Sequence, residues 1–184
     1  ISNEITTMVS TTDKASTILM GGSGTAAVES MLSSIVHDGC VLIINNGAYG
    51  KRLVEIATIH NIDFIEFKSS QTQKIDLNLL KETVVNTPNC KFLSYIHHET
   101  TTGLLNNTKE LGNFAKEHNL ITVVDAMSSF AAIPIDLEKE TIHFLAASSN
   151  KNLQGMAGIG IVICQNKELE KLKTKSITSH SIGF

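Results

Sequence analysis

The chain alternates between short runs of consecutive apolar residues and longer stretches in which apolar residues recur at helical spacing. The apolar runs predict strands at residues 16–20, 40–46, 63–67, 91–98, 120–126, 142–148 and 158–164. The helical spacing predicts helices at residues 25–36, 51–61, 77–86, 108–119 and 166–173. Strands that are apolar on almost every residue are typical of a sheet covered by helices on both faces.

These elements predict an α/β fold with three layers, α/β/α, around a mostly parallel mixed sheet. Alternation of strands and helices favours parallel order with right-handed crossovers. The strand at 158–164 follows the strand at 142–148 without a helix between them, so we expect one antiparallel strand. The length of 184 residues favours a single domain.

Composition and charge exclude several classes of partner. The chain is 42% hydrophobic and 18% charged, with a formal net charge of −3, which is ordinary for a globular protein. The densest basic cluster, KLKTK at 171–175, is interpreted as the solvated face of a terminal helix. We therefore expect neither nucleic acid nor a membrane surface as a partner. No apolar run approaches the ~20 residues of a membrane span.

The three cysteines, Cys40, Cys90 and Cys164, are far apart in apolar surroundings and include no CxxC pair. This pattern predicts buried, reduced thiols. Because no signal peptide is recognised, the cysteine pattern also predicts a cytoplasmic protein.

Candidate chemistry lies where predicted strands end, beginning with GGSGTAAVES at 21–30. Glycines allow a tight turn, Ser23 and Thr25 add hydroxyls, and a helix follows at once. The free N–H groups and the dipole of such a helix start bind anions, so a phosphate site is predicted. The alternative is an ordinary helix capped by Ser or Thr. The stretch lacks the GK[ST] ending of a Walker A loop.

Two further strand ends carry aromatic and hydroxyl groups. In NNGAYG at 45–50, Tyr49 at a helix start can stack on a flat ligand, or can simply be half-buried there. In HHETTTG at 97–103, the adjacent histidines point opposite ways on a continuing strand, so no metal site is predicted. Thr100 is the first of three threonines that could donate hydroxyl groups.

The last two strand ends carry Asp125 and Lys151. Asp125 ends the strand of VVDAMSS, where it is either a turn residue or a fixed charge for a heterocyclic N–H⁺. Lys151, in SSNKNLQGMAGIG, follows a strand by three residues. A lysine at such a position is usually just exposed to solvent. A lysine with a lowered pKa, however, forms Schiff bases. A phosphate, a flat ring, a ring N–H⁺ and an aldehyde carbon together describe pyridoxal 5′-phosphate.

Five segments resemble the fold-type I, class V family of pyridoxal-phosphate aminotransferases, and within it most closely the 2-aminoethylphosphonate–pyruvate transaminases. They are GSGTAAVESM, NNGAYGKR, HHETTTGLLN, VDAMSSFAAIPID and SSNKNLQGMAGIG, in the family's order and spacing over most of the chain. Gly21 and Ala157 depart from the residues expected at those positions (Gln and Pro), which concerns local loop shape.

The resemblance implies a role for each matching residue. Lys151 is implied as the catalytic Schiff-base lysine, Asp125 as the partner of the pyridine nitrogen, Tyr49 as the residue stacked on the ring, and Thr100 as a neighbour of its phenolic oxygen. The phosphate is implied to bind Ser23, Gly24 and Thr25, helped by Asn150. A homodimer is also implied, in which the partner subunit completes the phosphate site.

The resemblance further implies that residues 1–184 are the cofactor-binding large domain, cut at both ends and without the small C-terminal domain. The arginine that binds substrate is expected in that missing domain, and Arg52, the only arginine here, is expected in a structural ion pair. The implied reaction transfers the amino group of 2-aminoethylphosphonate to pyruvate, giving phosphonoacetaldehyde and L-alanine in phosphonate catabolism. An alanine–glyoxylate or serine–pyruvate type of class V enzyme is the nearest alternative, and a cysteine desulfurase is disfavoured because such enzymes have a histidine over the ring. A nucleotide- or phosphate-binding α/β module without catalytic activity, or an inert fragment, stays open.

Overall fold

The computed structural model describes residues 1–173, and they form the predicted three-layer α/β/α fold. The helices are α1 (Ser2–Thr7), α2 (Gly24–Ile35), α3 (Ala48–Ile59), α4 (Leu77–Asn86), α5 (Thr108–Glu117) and α6 (Asn166–Lys173). The strands are β1 (Ala15–Gly21), β2 (Cys40–Asn45), β3 (Phe64–Lys68), β4 (Cys90–Ile96), β5 (His98–Glu99), β6 (Leu104–Leu105), β7 (Ile121–Asp125), β8 (Phe144–Ser148) and β9 (Ile159–Gln165).

Within residues 1–173, seven strands form one mixed sheet in the order β1-β9-β8-β7-β4-β2-β3. The pairs β2–β3, β2–β4, β4–β7 and β7–β8 are parallel, whereas β9 is antiparallel to both of its neighbours, β1 and β8. The prediction of a mostly parallel sheet with one antiparallel strand is therefore confirmed. β7 lies at the centre, so Asp125 ends the middle strand of the sheet.

Each face of the sheet is covered by apolar side chains from helices. On one face, α2, α3 and α6 contribute to a cluster that includes Leu32 and Leu53. On the other face, α1, α4 and α5 contribute to a cluster that includes Leu80, Leu111 and Phe130. Because both faces are buried, the strands need no alternation of apolar and polar residues.

The local pattern missed some elements and placed others inaccurately. Neither α1 nor the two-stranded hairpin of β5 and β6 was predicted. Helix α3 begins at Ala48, before the predicted residue 51. The basic cluster at 171–175 begins in α6, as expected, but Thr174 and Lys175 lie outside the described residues.

The prediction of three reduced thiols is wrong for two of the cysteines. Cys40 and Cys90 form a disulfide with a sequence separation of 50 residues. They are paired residues at the amino ends of the neighbouring parallel strands β2 and β4, so the sheet brings them together. Cys164 is a buried free cysteine, as predicted. The cysteine pattern therefore no longer supports the predicted cytoplasmic location.

Candidate active site

The polar residues of the five quoted segments meet at one edge of the sheet. β1, β2, β4, β7 and β8 all run in the same direction, so their carboxyl ends lie side by side. Ligands of open α/β sheets bind at this edge. The register pairs Ile96 with Asp125, and Asp125 with Ala146, so the ends of the central strands are level.

Four of the predicted site residues line one small cavity at this edge. This lysine cavity is lined by Tyr49, Ile96, His98, Thr100, Asp125, Met127, Ser128 and Lys151. A second cavity, the arginine cavity, is lined by Thr25, Val28, Tyr49, Arg52, Leu53, Ile56, Asp125 and Met127. Tyr49, Asp125 and Met127 line both cavities. Thus five sequence-predicted residues, one from each of the five quoted segments, line these two adjoining cavities: Thr25, Tyr49, Thr100, Asp125 and Lys151.

Asp125 is the acidic residue that lines both cavities. Its Oδ1 accepts a hydrogen bond of 2.8 Å from the backbone N–H of Met127. Burial raises the pKa of Asp125 to about 6, although the Met127 N–H and the charge of Arg52 lower it and the charge of Glu99 raises it further. A carboxylate so placed is ready to bind a cationic N–H group, which would restore its charged state.

The start of α2 provides both the predicted cap and unpaired backbone donors. Ser23 is the N-cap, and its hydroxyl accepts a hydrogen bond from the N–H of Ala26. Within the described residues, the N–H groups of Gly24 and Thr25 have no acceptor. A Cβ at position 24 would lie 2.3 Å from the sulfur of Met127, so a larger residue there would require the Met127 side chain to move. The helix start can therefore bind an anion through backbone donors, and the Ser23 hydroxyl, which accepts from Ala26, keeps its O–H as a further donor.

Arg52 does not make the structural ion pair that was expected of it. Among the described residues it forms no salt bridge. Its guanidinium carbon instead lies 4.9 Å from the centre of the Tyr49 ring, within the range of a cation–π contact. One turn of α3 thus places the cation and the aromatic ring together at the site.

Lys151 lies in a tight turn between β8 and β9. The carbonyl of Lys151 accepts from the N–H of Gln154, and the side-chain amide of Asn152 donates to the carbonyls of Ser128 and Phe130. These bonds attach the turn to the segment after Asp125. Lys151 is exposed at the edge of the lysine cavity. Asn150 is also exposed in this turn, and the described lining of the two cavities does not include it, Ser23 or Gly24.

The two histidines of the HHETTTG segment lie in different environments. His97 is buried, and burial lowers its pKa to about 4, with the neighbouring His98 as a further cause. His98 lines the lysine cavity beside Thr100, and its Nδ1 lies 3.2 Å from the hydroxyl of Ser128. Among the residues described, no three His, Cys, Asp or Glu side chains gather as metal ligands. In residues 1–173, no helix combines the length and apolarity needed to cross a membrane.

Sequence reasoning missed four side chains around the site: His98, Met127, Ser128 and Arg52. All four lie inside segments that were quoted for other residues. The signal for Met127 and Ser128 is their position just after Asp125, where the chain has to turn over the sheet edge. Arg52 follows Tyr49 by three residues, the spacing that puts two side chains on one helix face.

Comparisons with known proteins agree on one family. The family model described as "Aminotransferase class-V" matches residues 2–183. A bifunctional phosphonoacetaldehyde hydrolase/aminoethylphosphonate transaminase of Clostridioides difficile is 45% identical over 88% of this chain and 26% of its own. A 2-aminoethylphosphonate–pyruvate transaminase of Vibrio vulnificus is 40% identical over 86% of this chain and 44% of its own.

The solved structures agree with these sequence matches. The crystal structure of an alanine–glyoxylate aminotransferase from Nostoc sp. superposes with a TM-score of 0.85 and 25% identity, covering 97% of this chain and 48% of that one. The chain therefore spans less than half the length of these relatives.

Proposed function

Because the chain belongs to the class V aminotransferase family, we propose that it is the cofactor-binding large domain of a pyridoxal 5′-phosphate-dependent transaminase. The proposed reaction moves the amino group of 2-aminoethylphosphonate to pyruvate, giving phosphonoacetaldehyde and L-alanine. The observation that carries the proposal is the lysine cavity, where an amine, a carboxylate, a hydroxyl and an aromatic ring from four strand ends share one lining. The names of the Clostridioides and Vibrio relatives support the choice of substrate.

The described residues fit the chemical groups of this cofactor. Asp125 offers a carboxylate to the ring nitrogen, Tyr49 an aromatic face to the ring, and Thr100 a hydroxyl to the phenolic oxygen. The unpaired N–H groups of Gly24 and Thr25 at the start of α2 would hold the phosphate. Ser23 and Asn150 border this phosphate position in the proposal, and Lys151 would bind the aldehyde carbon through its amine.

Each residue then has a defined task. The bound cofactor supplies an electron sink that stabilises negative charge on the substrate carbon. Asp125 keeps the ring nitrogen protonated, because a buried carboxylate favours a cationic partner. Lys151 would act as the general base and acid once the substrate amine has replaced it at the aldehyde carbon: its freed Nζ would take a proton from the amine-bearing carbon of the substrate and return it at the cofactor carbon. Tyr49 and Met127 border both cavities and can hold the ring in a fixed orientation.

Product analysis tests the proposed reaction. The full-length enzyme of which this chain is proposed to be the large domain, supplied with pyridoxal 5′-phosphate and pyruvate, should form L-alanine with 2-aminoethylphosphonate as the amino donor. Lys151→Ala should abolish that formation. Equal rates in the Lys151→Ala variant, or no L-alanine with this donor, would contradict the proposal.

An alanine–glyoxylate type of transaminase is the second candidate, favoured by the structural likeness to the Nostoc enzyme. Glycine formation from L-alanine and glyoxylate, exceeding turnover of 2-aminoethylphosphonate, would favour this candidate. We also propose a homodimer, as the family resemblance implies. Light scattering would measure the mass of the particle in solution.

A further inference from the structure

Glu99 is a fully buried acidic residue next to the site. Its relative exposure is 0%, and it ends the short strand β5. A buried carboxylate is stable only when hydrogen bonds replace its lost water. Glu99 has four such donors, and all belong to two segments that line or border the lysine cavity.

The first pair of donors is at the start of α3. Glu99 Oε2 accepts from the backbone N–H of Tyr49 at 2.9 Å and from that of Gly50 at 3.4 Å. The N-cap of α3, Gly47, has no side chain that could make these bonds. Glu99 therefore caps α3 from a segment 50 residues away, and its negative charge lies at the positive end of the helix dipole. A Cβ at position 47 would lie 2.3 Å from Cγ of Glu99, so glycine makes room for this cap.

The second pair of donors is in the turn that carries Thr100. Glu99 Oε1 accepts from the hydroxyl of Thr101 at 2.6 Å and from the Thr101 N–H at 3.4 Å. One carboxylate thus joins the backbone of Tyr49 to the turn around Thr100. Both of these residues line the lysine cavity. The separation of the two cofactor-facing groups is therefore set through Glu99.

We propose that Glu99 is a positioning residue that fixes Tyr49 and Thr100 relative to each other for cofactor binding. This inference rests on the proposed function, because it assigns Glu99 a task in the same site. Glu99 does not line either cavity, so it acts through Tyr49 and Thr101 and not by touching the cofactor. Its contacts also place a fixed charge near Asp125.

The test uses a fluorine signal that does not depend on the cofactor. The chain has two tyrosines, Tyr49 at the site and Tyr95 in the core, so labelling with 3-fluorotyrosine gives two assignable signals. Glu99→Ala should shift or broaden the signal of Tyr49 and leave that of Tyr95 in place. The same variant should raise the Kd for pyridoxal 5′-phosphate about tenfold or more, because the hydrogen bonds that hold Tyr49 and the Thr100 turn in place are lost.

Two variants separate positioning from general stability. Glu99→Gln can still accept from Tyr49 N–H and can donate to the Thr101 hydroxyl, so its Kd should stay within about threefold of the parent chain. Asp76→Ala is the matched control: Asp76 caps α4 through the N–H groups of Asn78 and Leu79. It should lower the melting temperature but leave both the Tyr49 signal and the Kd unchanged.

Three results would overturn the inference. The first is a Tyr49 signal and a Kd that are unchanged in Glu99→Ala. The second is a loss of cofactor affinity that is equal in Glu99→Ala and Glu99→Gln, and the third is an equal loss of affinity in Asp76→Ala. If Glu99→Ala does not fold, Glu99→Asp replaces it, because its shorter side chain cannot reach both partners; parental values in that variant would also overturn the inference. Failure of the proposed function would give a different result. The parent chain itself would then bind no cofactor, while the Tyr49 fluorine signal would still change in Glu99→Ala.

Discussion

The guanidinium carbon of Arg52 lies 4.9 Å from the centre of the Tyr49 ring, at the edge of the cavity that contains Asp125. This contact gives the only arginine of the sequence a place in the candidate site. The arginine covers the aromatic ring, and its charge also lowers the pKa of Asp125. The two effects can be separated by substitution.

Arg52→Ala should move the titration of Asp125 to a pH above its present value of about 6, because a stabilising positive charge is lost. It should also weaken binding of pyridoxal 5′-phosphate by at most about fivefold, because the Tyr49 ring loses a cation–π contact that helps to hold it in place. Carbon-detected NMR of the carboxyl group measures the first effect. Arg52→Lys keeps the charge without the planar group, so the Asp125 titration should stay close to the parent value while binding still weakens. An unchanged titration in Arg52→Ala would contradict this account.

The raised pKa of Asp125 predicts how cofactor binding depends on pH. A ring N–H⁺ pairs with the ionised carboxylate, so the affinity for pyridoxal 5′-phosphate should fall as the pH drops below about 6. The asparagine of Asp125→Asn cannot ionise, so this variant should bind the cofactor more weakly but should not show the fall in affinity below about pH 6. Equilibrium dialysis at several pH values measures the affinities of the two proteins. Because the cofactor itself also titrates, the curve of Asp125→Asn serves as the reference. Parallel curves for the two proteins would show that Asp125 does not pair with the ring.

The same group has the opposite influence on the stability of the cofactor-free chain. Because the folded pKa lies above that of an unfolded aspartate, the folded state holds the proton more tightly. The contribution of Asp125 to stability is therefore present below about pH 4 and is lost as the pH rises through about 6, by at most about 3 kcal/mol. Urea denaturation of the parent chain and of Asp125→Asn measures it. A difference between the two that does not vary with pH would contradict the assignment.

The disulfide predicts a response to reductant that leaves the site unaffected. The Cys40–Cys90 bond closes a loop with a sequence separation of 50 residues, and such crosslinks stabilise proteins by about 2 to 4 kcal/mol. Dithiothreitol should therefore lower the free energy of unfolding, while the Cys40→Ser/Cys90→Ser double variant should be insensitive to it. The bond lies at the amino ends of β2 and β4, away from the edge that carries the site, so the Kd for the cofactor should not change. Equal stability with and without reductant would show that the bond does not form.

The sequence pattern was sufficient for the fold because the strands are apolar throughout and the order of strands and helices follows the chain. It was also sufficient for the group of Tyr49, Thr100, Asp125 and Lys151, because carboxyl ends of parallel strands meet at one edge. The features that it missed depend on contacts between distant segments. The early start of α3 is an example: its cap comes from Glu99, which no local pattern can indicate.

The prediction of reduced thiols at Cys40 and Cys90 is wrong for the same reason. In the sequence, Cys40 and Cys90 each stand among apolar strand residues, and nothing marks them as partners. Their pairing depends on the register of β2 against β4. The stacking of Arg52 could have been found from its spacing to Tyr49. Its place on a helix favours an ion pair instead, whereas the structure puts it over the Tyr49 ring.

Reduction of the complex with pyridoxal 5′-phosphate by borohydride, followed by peptide mapping, tests the central claim most directly. The account predicts a reduced adduct confined to the peptide that contains Lys151, absent from Lys151→Ala and unchanged in Lys116→Ala, which removes an exposed lysine of α5. The absence of an adduct, or label spread over surface lysines in the parent chain and in Lys151→Ala alike, would contradict it.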